Sequence, residues 1–492
     1  MIPMQRLLKH KKPAVILFIT IIAVLGISAP AFAQEEEHAA QSISIFFSIP
    51  FVLMLGSIAV IPLKWEHWWE DNQNRLIVSL VLSVFVLFYY WLVHPGVIDH
   101  DSGKLISGFE AVHKILSHSI LQEYIPFIVL LFSLYTISGG IQLKGDLPAH
   151  PLTNTIFLAV GTLIASFVGT TGAAMLLIRP LIQTNSERKH VKHTVIFFIF
   201  LVCNVGGCLL PIGDPPLFLG YLMGVPFLWT MGLWTQWLGV SIMLLIIYYI
   251  WDSIAYRKET KQAIARDERE VQKLQMSGSI NLLFLLGVIF SVAFLIPGKP
   301  LFGNEDIIVP YFFREFVQGL FIALSLKFTP TGIREANRFN YIAIGEVAAL
   351  FIGIFITMQV PVEILTIKGG ELGMTEPWQF FWATGLLSSV LDNAPTYVVF
   401  FETAKSIDVA STATRVAGIP QELLVAISLG AVFMGANSYI GNGPNFMVKS
   451  IAEQQGIKMP SFFGYMLYSM VVLLPVFLVF TLVMQFLGRW FV

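Results

Sequence analysis

NVGGCLLPIGDPPL, Asn204 to Leu217, lies inside a run that is otherwise apolar enough to cross a bilayer. Glycine and proline pairs break a helix there, and an asparagine and an aspartate flank the break. A second stretch repeats the plan: GANSYIGNGPNF, Gly435 to Phe446. The two align locally, Ile212-Gly213-Asp214-Pro215-Pro216 against Ile440-Gly441-Asn442-Gly443-Pro444. Buried backbone groups must find partners, so a chain in lipid avoids such breaks unless they line a site. Carbonyls freed at the break suit a cation, and N–H groups at half-helix N-termini suit an anion.

The chain around these stretches is that of a polytopic membrane protein. It has 492 residues, 56% hydrophobic and 12% charged, against about 25% charged in ordinary soluble proteins. Apolar runs long enough to span recur throughout. A net charge of −1 offers nothing to nucleic acid. Cys203 and Cys208 read as small core residues, with neither a disulfide framework nor a metal site. No P-loop is present, which excludes an ATP-driven pump of that type. The Asp392 and Asp214 contexts lack the Tyr-Asp and Gly-x-Gly-Asp of intramembrane aspartyl proteases. The chain therefore reads as a carrier and not an enzyme.

Residues 1–33 read as a signal peptide, or as an uncleaved first helix: a basic start, an apolar run and Ala31-Phe32-Ala33. Hydropathy places spans at 43–63, 76–93, 124–141, an interrupted 153–183, 193–224 and 231–251. The second series is 279–296, 314–327, 341–365, an interrupted 378–404, 420–451 and 461–488. If each interrupted segment dips in and returns, each half crosses an odd number of times, and the second half is inverted. The expected fold is an all-α polytopic membrane protein of two inverted repeats, each with a re-entrant hairpin and a broken helix. It has about 10 spans plus 2 hairpins after the signal segment. Residues 41–251 form the first repeat, 252–276 a charged, helix-prone cytoplasmic linker, and 277–492 the second repeat.

The basic residues agree with this topology. Most fall in the predicted inner loops, among them Arg188, Lys189, Lys192, Lys458 and the linker. Both mature termini then face outward from a bacterial inner membrane. Trp65, Trp68 and Trp69 suit an aromatic belt at the inner interface. His190 and His193 read as part of a solvated loop, Arg314 and Glu315 as outer-surface residues, and Glu402 as solvated at an outer hairpin end.

The polar residues inside the spans carry the chemistry. The first interrupted segment holds GTTGAAMLLIRP, Gly169 to Pro180, and the second SSVLDNAPTY, Ser388 to Tyr397. Thr170, Thr171, Asn393 and Thr396 supply oxygens at the hairpin tips. Asn204, Asn437, Asn442 and Asn445 supply more at the breaks. Such all-oxygen sites suit hard cations. Asp214 and Asp392 are the central acids, each costly to insert. Burial favours the protonated carboxyl and a bound cation favours the ionised one, so H⁺ and Na⁺ compete for the same oxygens. Asp392 also reads as a helix cap. Glu346, in IGEVAALFIGIFI, is a candidate proton relay. Arg179 could pair with an acid, bind an anion or snorkel to the cytoplasmic edge.

SSVLDNAP resembles the second-half signature of bacterial NhaD-type sodium/proton antiporters. GTTGAAMLLIRP, NVGGCLLPIGDPPLFLGYLMGVPF and EVAALFIGIFITM together resemble a related bacterial family labelled citrate transporter or sodium/proton antiporter. Both belong to the ion-transporter superfamily, and the resemblance runs from about 40 to 490. It implies a homodimer in the lipid bilayer, with a scaffold domain and an elevator-like transport domain. It also implies sodium sites where each hairpin tip meets its broken helix. Carried over, one site takes Thr170, Thr171, Asn204 and Asp214, the other Asp392, Asn393, Thr396, Asn437 and Asn442. The dicarboxylate carriers of the superfamily use Ser-Asn-Thr at both tips. This chain has Gly-Thr-Thr and Asp-Asn-Ala-Pro-Thr, and an acid at a tip favours a cation over an anion. The expected function is Na⁺/H⁺ antiport, with Li⁺ as a further cation and no cofactor. The alternative is Na⁺- or H⁺-coupled uptake of citrate or a dicarboxylate.

Overall fold

The computed structural model describes residues 43–98, 104–301, 304–407 and 414–487. The segment read as a signal peptide lies outside them. The longer helices in the first half are α1 (Ile49–Lys64), α2 (Asn72–Leu92), α3 (Ile125–Ser138), α4 (Pro151–Val168), α5 (Thr170–Thr184), α6 (Lys192–Leu201), α7 (Pro215–Leu222) and α8 (Trp234–Tyr256). In the second half they are α9 (Ile280–Phe294), α10 (Phe313–Phe328), α11 (Ile342–Thr357), α12 (Gln359–Lys368), α13 (Pro377–Val390), α14 (Asn393–Lys405), α15 (Gln421–Met434), α16 (Gly443–Gln454) and α17 (Phe462–Leu487).

Among the described residues, six helices are long and apolar enough to cross a membrane, or seven if the bent pair α11–α12 counts as one span. That is fewer than the expected ten because the sequence breaks several predicted spans. α9 has 15 residues and α10 has 16, about 24 Å of helix against a hydrocarbon core of roughly 30 Å. The other short elements are the arms of breaks.

Each interruption falls where a helix former gives way to a glycine, proline or cap. Gly169 alone separates α4 from α5, with φ +78. An L side chain rarely adopts that conformation, and a Cβ there would also meet the Ile212 carbonyl at 3.3 Å. Leu391 and Asp392 separate α13 from α14. α6 stops at Leu201, short 3₁₀ turns follow at Val205–Cys208 and Pro211–Gly213, and Pro215 opens α7. The second break has one 3₁₀ turn, Gly435–Asn437, before Gly443 opens α16. Gly207 faces Gly213 and Gly435 faces Gly441, so closely that a Cβ on Gly213 or Gly441 would strike the carbonyl of its partner.

Packing is reciprocal between the halves. α4 packs on α5, and α13 on α14. α2 packs on α11, and α3 on α10. α7, after the first break, packs on α14 of the second hairpin, while α16, after the second break, packs on α5 of the first.

Two expectations change here. The linker is not simply helical: α8 runs to Tyr256, a short helix covers Lys261–Asp267, and Gln272–Ser277 forms a strand. This strand, β2, pairs antiparallel with β1 (Gln142–Asp146), which follows the helix-ending Gly139-Gly140. Hydropathy does not register so short a polar ribbon. The fold is mostly helical, with four two-stranded ribbons among the described residues.

Several polar side chains expected in solvent are buried. His193 lies in α6, 2.8 Å from Asp252, which also binds Arg188 at 2.6 Å. Arg314 and Glu315 form a buried pair at 2.6 Å. Glu402 is buried and paired with Lys405 at 2.7 Å. Each charge enters with its partner, which is what makes burial tolerable and what single-residue hydropathy misses. Of the belt tryptophans, Trp65 is exposed and Trp69 is buried beneath the Arg75 guanidinium.

Candidate functional site

The hairpin tips and chain breaks converge on Asp214. Its side chain is 1% exposed. The Thr170 hydroxyl donates to Oδ1 at 2.9 Å, the Asn442 amide to Oδ1 at 2.8 Å and the Asn393 amide to Oδ2 at 2.6 Å. Thr170 belongs to the first tip, Asn393 to the second tip and Asn442 to the second break. These donors take three of the roughly four acceptor positions of a carboxylate. Hydrogen bonds to a charged group contribute about 1.5–3 kcal/mol each.

Backbone direction adds to this. Thr170 is the first residue of α5 and Asn393 the first of α14. Asp214 immediately precedes α7 and Asn442 immediately precedes α16. Four helix N-termini therefore meet at one carboxylate, and each carries roughly half a positive charge. The Asp214 side chain does not cap its own helix; it faces the side chains instead.

A second layer locks the breaks together. Asn204 donates to Asn445 Oδ1 at 2.8 Å and to the Ile199 carbonyl at 2.8 Å. Asn442 also donates to the Cys203 carbonyl at 3.0 Å. Asn445 donates to the Gly435 and Ser438 carbonyls, both at 2.9 Å. Asn437 donates to Ser389 Oγ at 2.8 Å. The Oδ1 atoms of Asn393 and Asn437 are buried without a hydrogen-bond partner among the described residues. The unpartnered Asn393 oxygen belongs to a side chain that touches the Asp214 carboxylate, and oxygen donors of this kind suit a hard cation.

This geometry regroups the expected residues. Asn393 and Asn442, assigned to the second site with Asp392, bind Asp214 of the first. Asp392 is half-buried, and its Oδ1 accepts the Ala394 N–H at 3.0 Å, so it caps α14. It still acts electrostatically on Asp214. The Thr396 hydroxyl turns back to the Asp392 carbonyl at 2.9 Å and stays out of the network. Thr171 is half-buried beside Thr170. Glu346 is 3.0 Å from Arg75 and 39% exposed, an ion pair that ties α11 to α2. Arg179 is half-buried; it acts electrostatically with Arg338 and Tyr135 and forms no ion pair with an acid among the described residues.

Asn445, read only as a further oxygen at the second break and assigned to neither expected site, joins both breaks. Sequence reasoning passed over one group. Glu123 lies in a π-helical turn, Ser117–Tyr124, 3.6 Å from His118 and 3.1 Å from the Gln359 amide at the α11–α12 bend. It was missed because the apolar run starts at the next residue.

A family model described as "Putative citrate transport" matches residues 40–485. The chain belongs to this family. Within the ion-transporter superfamily, the family's members are carriers of the citrate transporter or antiporter type, and the apolar helices place this member in a membrane. No curated protein matches the chain. The citrate-transport family supplies the general activity, secondary transport. The residues around Asp214 bear on what is carried.

Proposed function

We propose that this carrier exchanges Na⁺ for H⁺ by alternating access, with Asp214 binding the two in turn. The observation behind the reading is the Asp214 carboxylate, buried where both halves meet. The charged group acting on it is a second acid, Asp392. Leaving a carboxylate uncompensated away from water costs several kcal/mol. Its three hydrogen bonds and the converging helix N-termini offset part of that cost, and Na⁺ or H⁺ removes the charge itself. One site that holds either ion, but not both, couples their opposite movements.

The family description and the four N-termini favour a second reading, cation-coupled uptake of citrate or another carboxylate. Half-helix N-termini at mid-membrane breaks bind anionic substrate groups elsewhere. Two acids beside that position repel such an anion until a cation is bound, so this reading also requires a cation at Asp214.

The reciprocal packing, the matched glycine pairs and the helix-starting Asp214 and Asn442 support two inverted repeats. The basic inner loops support the orientation with both mature termini outside. The elevator-like motion and the homodimer rest on the family resemblance. Ion pairing with Arg75 supports a role for Glu346 in holding α2 to α11 before one in proton relay.

Purified carrier in proteoliposomes decides between the readings. Addition of Na⁺ or Li⁺ should move internal pH across about pH 6 to pH 9. No pH response, together with labelled citrate uptake under a Na⁺ or H⁺ gradient, would replace exchange by symport.

A further inference from the structure

A cavity of about 530 Å³ lies away from Asp214, between the loop that follows α5 and the loop that follows α16. Arg188, Lys189 and Lys192 line one wall and Lys458 the other, with Gln183, Ser186 and the Gly456 backbone between them. No acid lines it. The nearby carboxylates already have partners. Asp252 holds Arg188 and His193, Glu259 accepts the Lys189 and His190 N–H groups at 3.1 and 2.8 Å, and Glu187 accepts the Ser186 hydroxyl at 2.9 Å.

Two further features point to an anion. Arg188 is 7% exposed, and its Nε–H is buried without a hydrogen-bond partner among the described residues. Val191 and Lys192, at the start of α6, also line the cavity, and no side chain caps that helix. This helix N-terminus beside three lysines offers N–H donors and positive charge together, while the Arg188 charge is matched by Asp252. All four basic residues lie in loops or at a loop–helix junction that the charge distribution places on the cytoplasmic side, where basic pockets bind anionic headgroups.

We propose that this cavity binds a phosphate-bearing anion, either free in solution or as the headgroup of an anionic phospholipid. The site is distinct from the ion path. It sits at the far ends of α5 and α16, two of the four helices whose N-termini reach Asp214, roughly 20 Å away along the helices. A phosphate held between the two loops joins those far ends.

The test is the melting temperature of the purified full chain in neutral detergent. One arm titrates pyrophosphate at constant ionic strength; the other compares phosphatidylglycerol with phosphatidylcholine in mixed micelles. Wild type should be stabilised, and Lys189→Gln/Lys192→Gln/Lys458→Gln should require at least about tenfold more ligand. A response to pyrophosphate supports a site for free phosphate groups. A response to phosphatidylglycerol alone supports the lipid headgroup. No response to either, or equal responses in wild type and variant, overturns the proposal. Should the triple variant fail to fold, Lys458→Gln alone is compared in the same way.

Discussion

Asp214 and Asn442 occupy the same place in the two chain breaks, each the residue just before a helix, and they meet at 2.8 Å. An acid on one side and its amide counterpart on the other give a nearly symmetric site a single charge. That asymmetry makes the pair a direct test of the ion-binding reading. Asp214→Asn should abolish Na⁺-dependent pH change. It should also destabilise the fold by about 1–3 kcal/mol, because an amide nitrogen would face the Asn393 or Asn442 donors.

Asn442→Asp alone sets two carboxylates against each other and should lower the melting temperature and stop transport. The double exchange Asp214→Asn/Asn442→Asp restores one acid facing one amide. It should recover stability and part of the Na⁺ response lost in either single variant. The readout is a double-mutant cycle in both melting temperature and transport, with a coupling of roughly 1–3 kcal/mol. Strict additivity would mean that the two residues do not share one ion.

Asp392 differs from Asp214 in what an asparagine does to it. Asn is as good an N-cap as Asp, so Asp392→Asn keeps the bond to the Ala394 N–H, at a stability cost of a few tenths of a kcal/mol. Transport loss in that variant therefore reports the charge and not the fold. Asp392→Ala removes the cap as well and should cost about 1 kcal/mol more. Equal transport by wild type and Asp392→Asn would leave Asp392 a cap only.

How far the sequence foretold this site depends on which interactions were local. The breaks, the hairpin tips and the residues near them were visible because glycine, proline and polar residues interrupt an otherwise apolar pattern. Their pairing was not. The Asn393–Asp214 contact spans 179 positions and Asn442–Asp214 spans 228, and no periodicity carries such information. The resemblance sorted the residues by half, whereas the fold interleaves the halves. The same limit hid the His193–Asp252 pair, 59 positions apart, whereas Arg314 and Glu402 pair with near neighbours, Glu315 and Lys405, and what hydropathy missed there was their burial by distant helices. The β1–β2 ribbon joins the middle of the first half to the segment just before the second and lies below the resolution of a hydropathy window.

The breaks themselves depend on glycine pairs that permit close backbone approach. A Cβ at Gly213 would strike the Gly207 carbonyl, and one at Gly441 the Gly435 carbonyl, whereas Gly443 has nothing within 4 Å. Gly213→Ala and Gly441→Ala should each cost about 1–3 kcal/mol or more by overpacking, and Gly443→Ala should be close to neutral. Transport should follow the same order, because Asp214 and Asn442 directly follow the two crowded glycines. Thermal unfolding of the three variants checks this, and a neutral Gly213→Ala would remove the packed break from the account.

The last expectation separates ion binding from transport. A cation that binds the folded carrier stabilises it by mass action, about 2.7 kcal/mol at a concentration one hundred times its dissociation constant. Na⁺ should therefore raise the melting temperature of wild type, relative to a large organic cation at equal ionic strength. Because H⁺ and Na⁺ contend for the same carboxylate, the Na⁺ concentration for half the effect should rise as pH falls. Asp214→Asn should lose both the stabilisation and its pH dependence. A wild-type response that survives in Asp214→Asn would move the cation to another site, and Asp392, half-buried beside it, would be the next carboxylate to substitute.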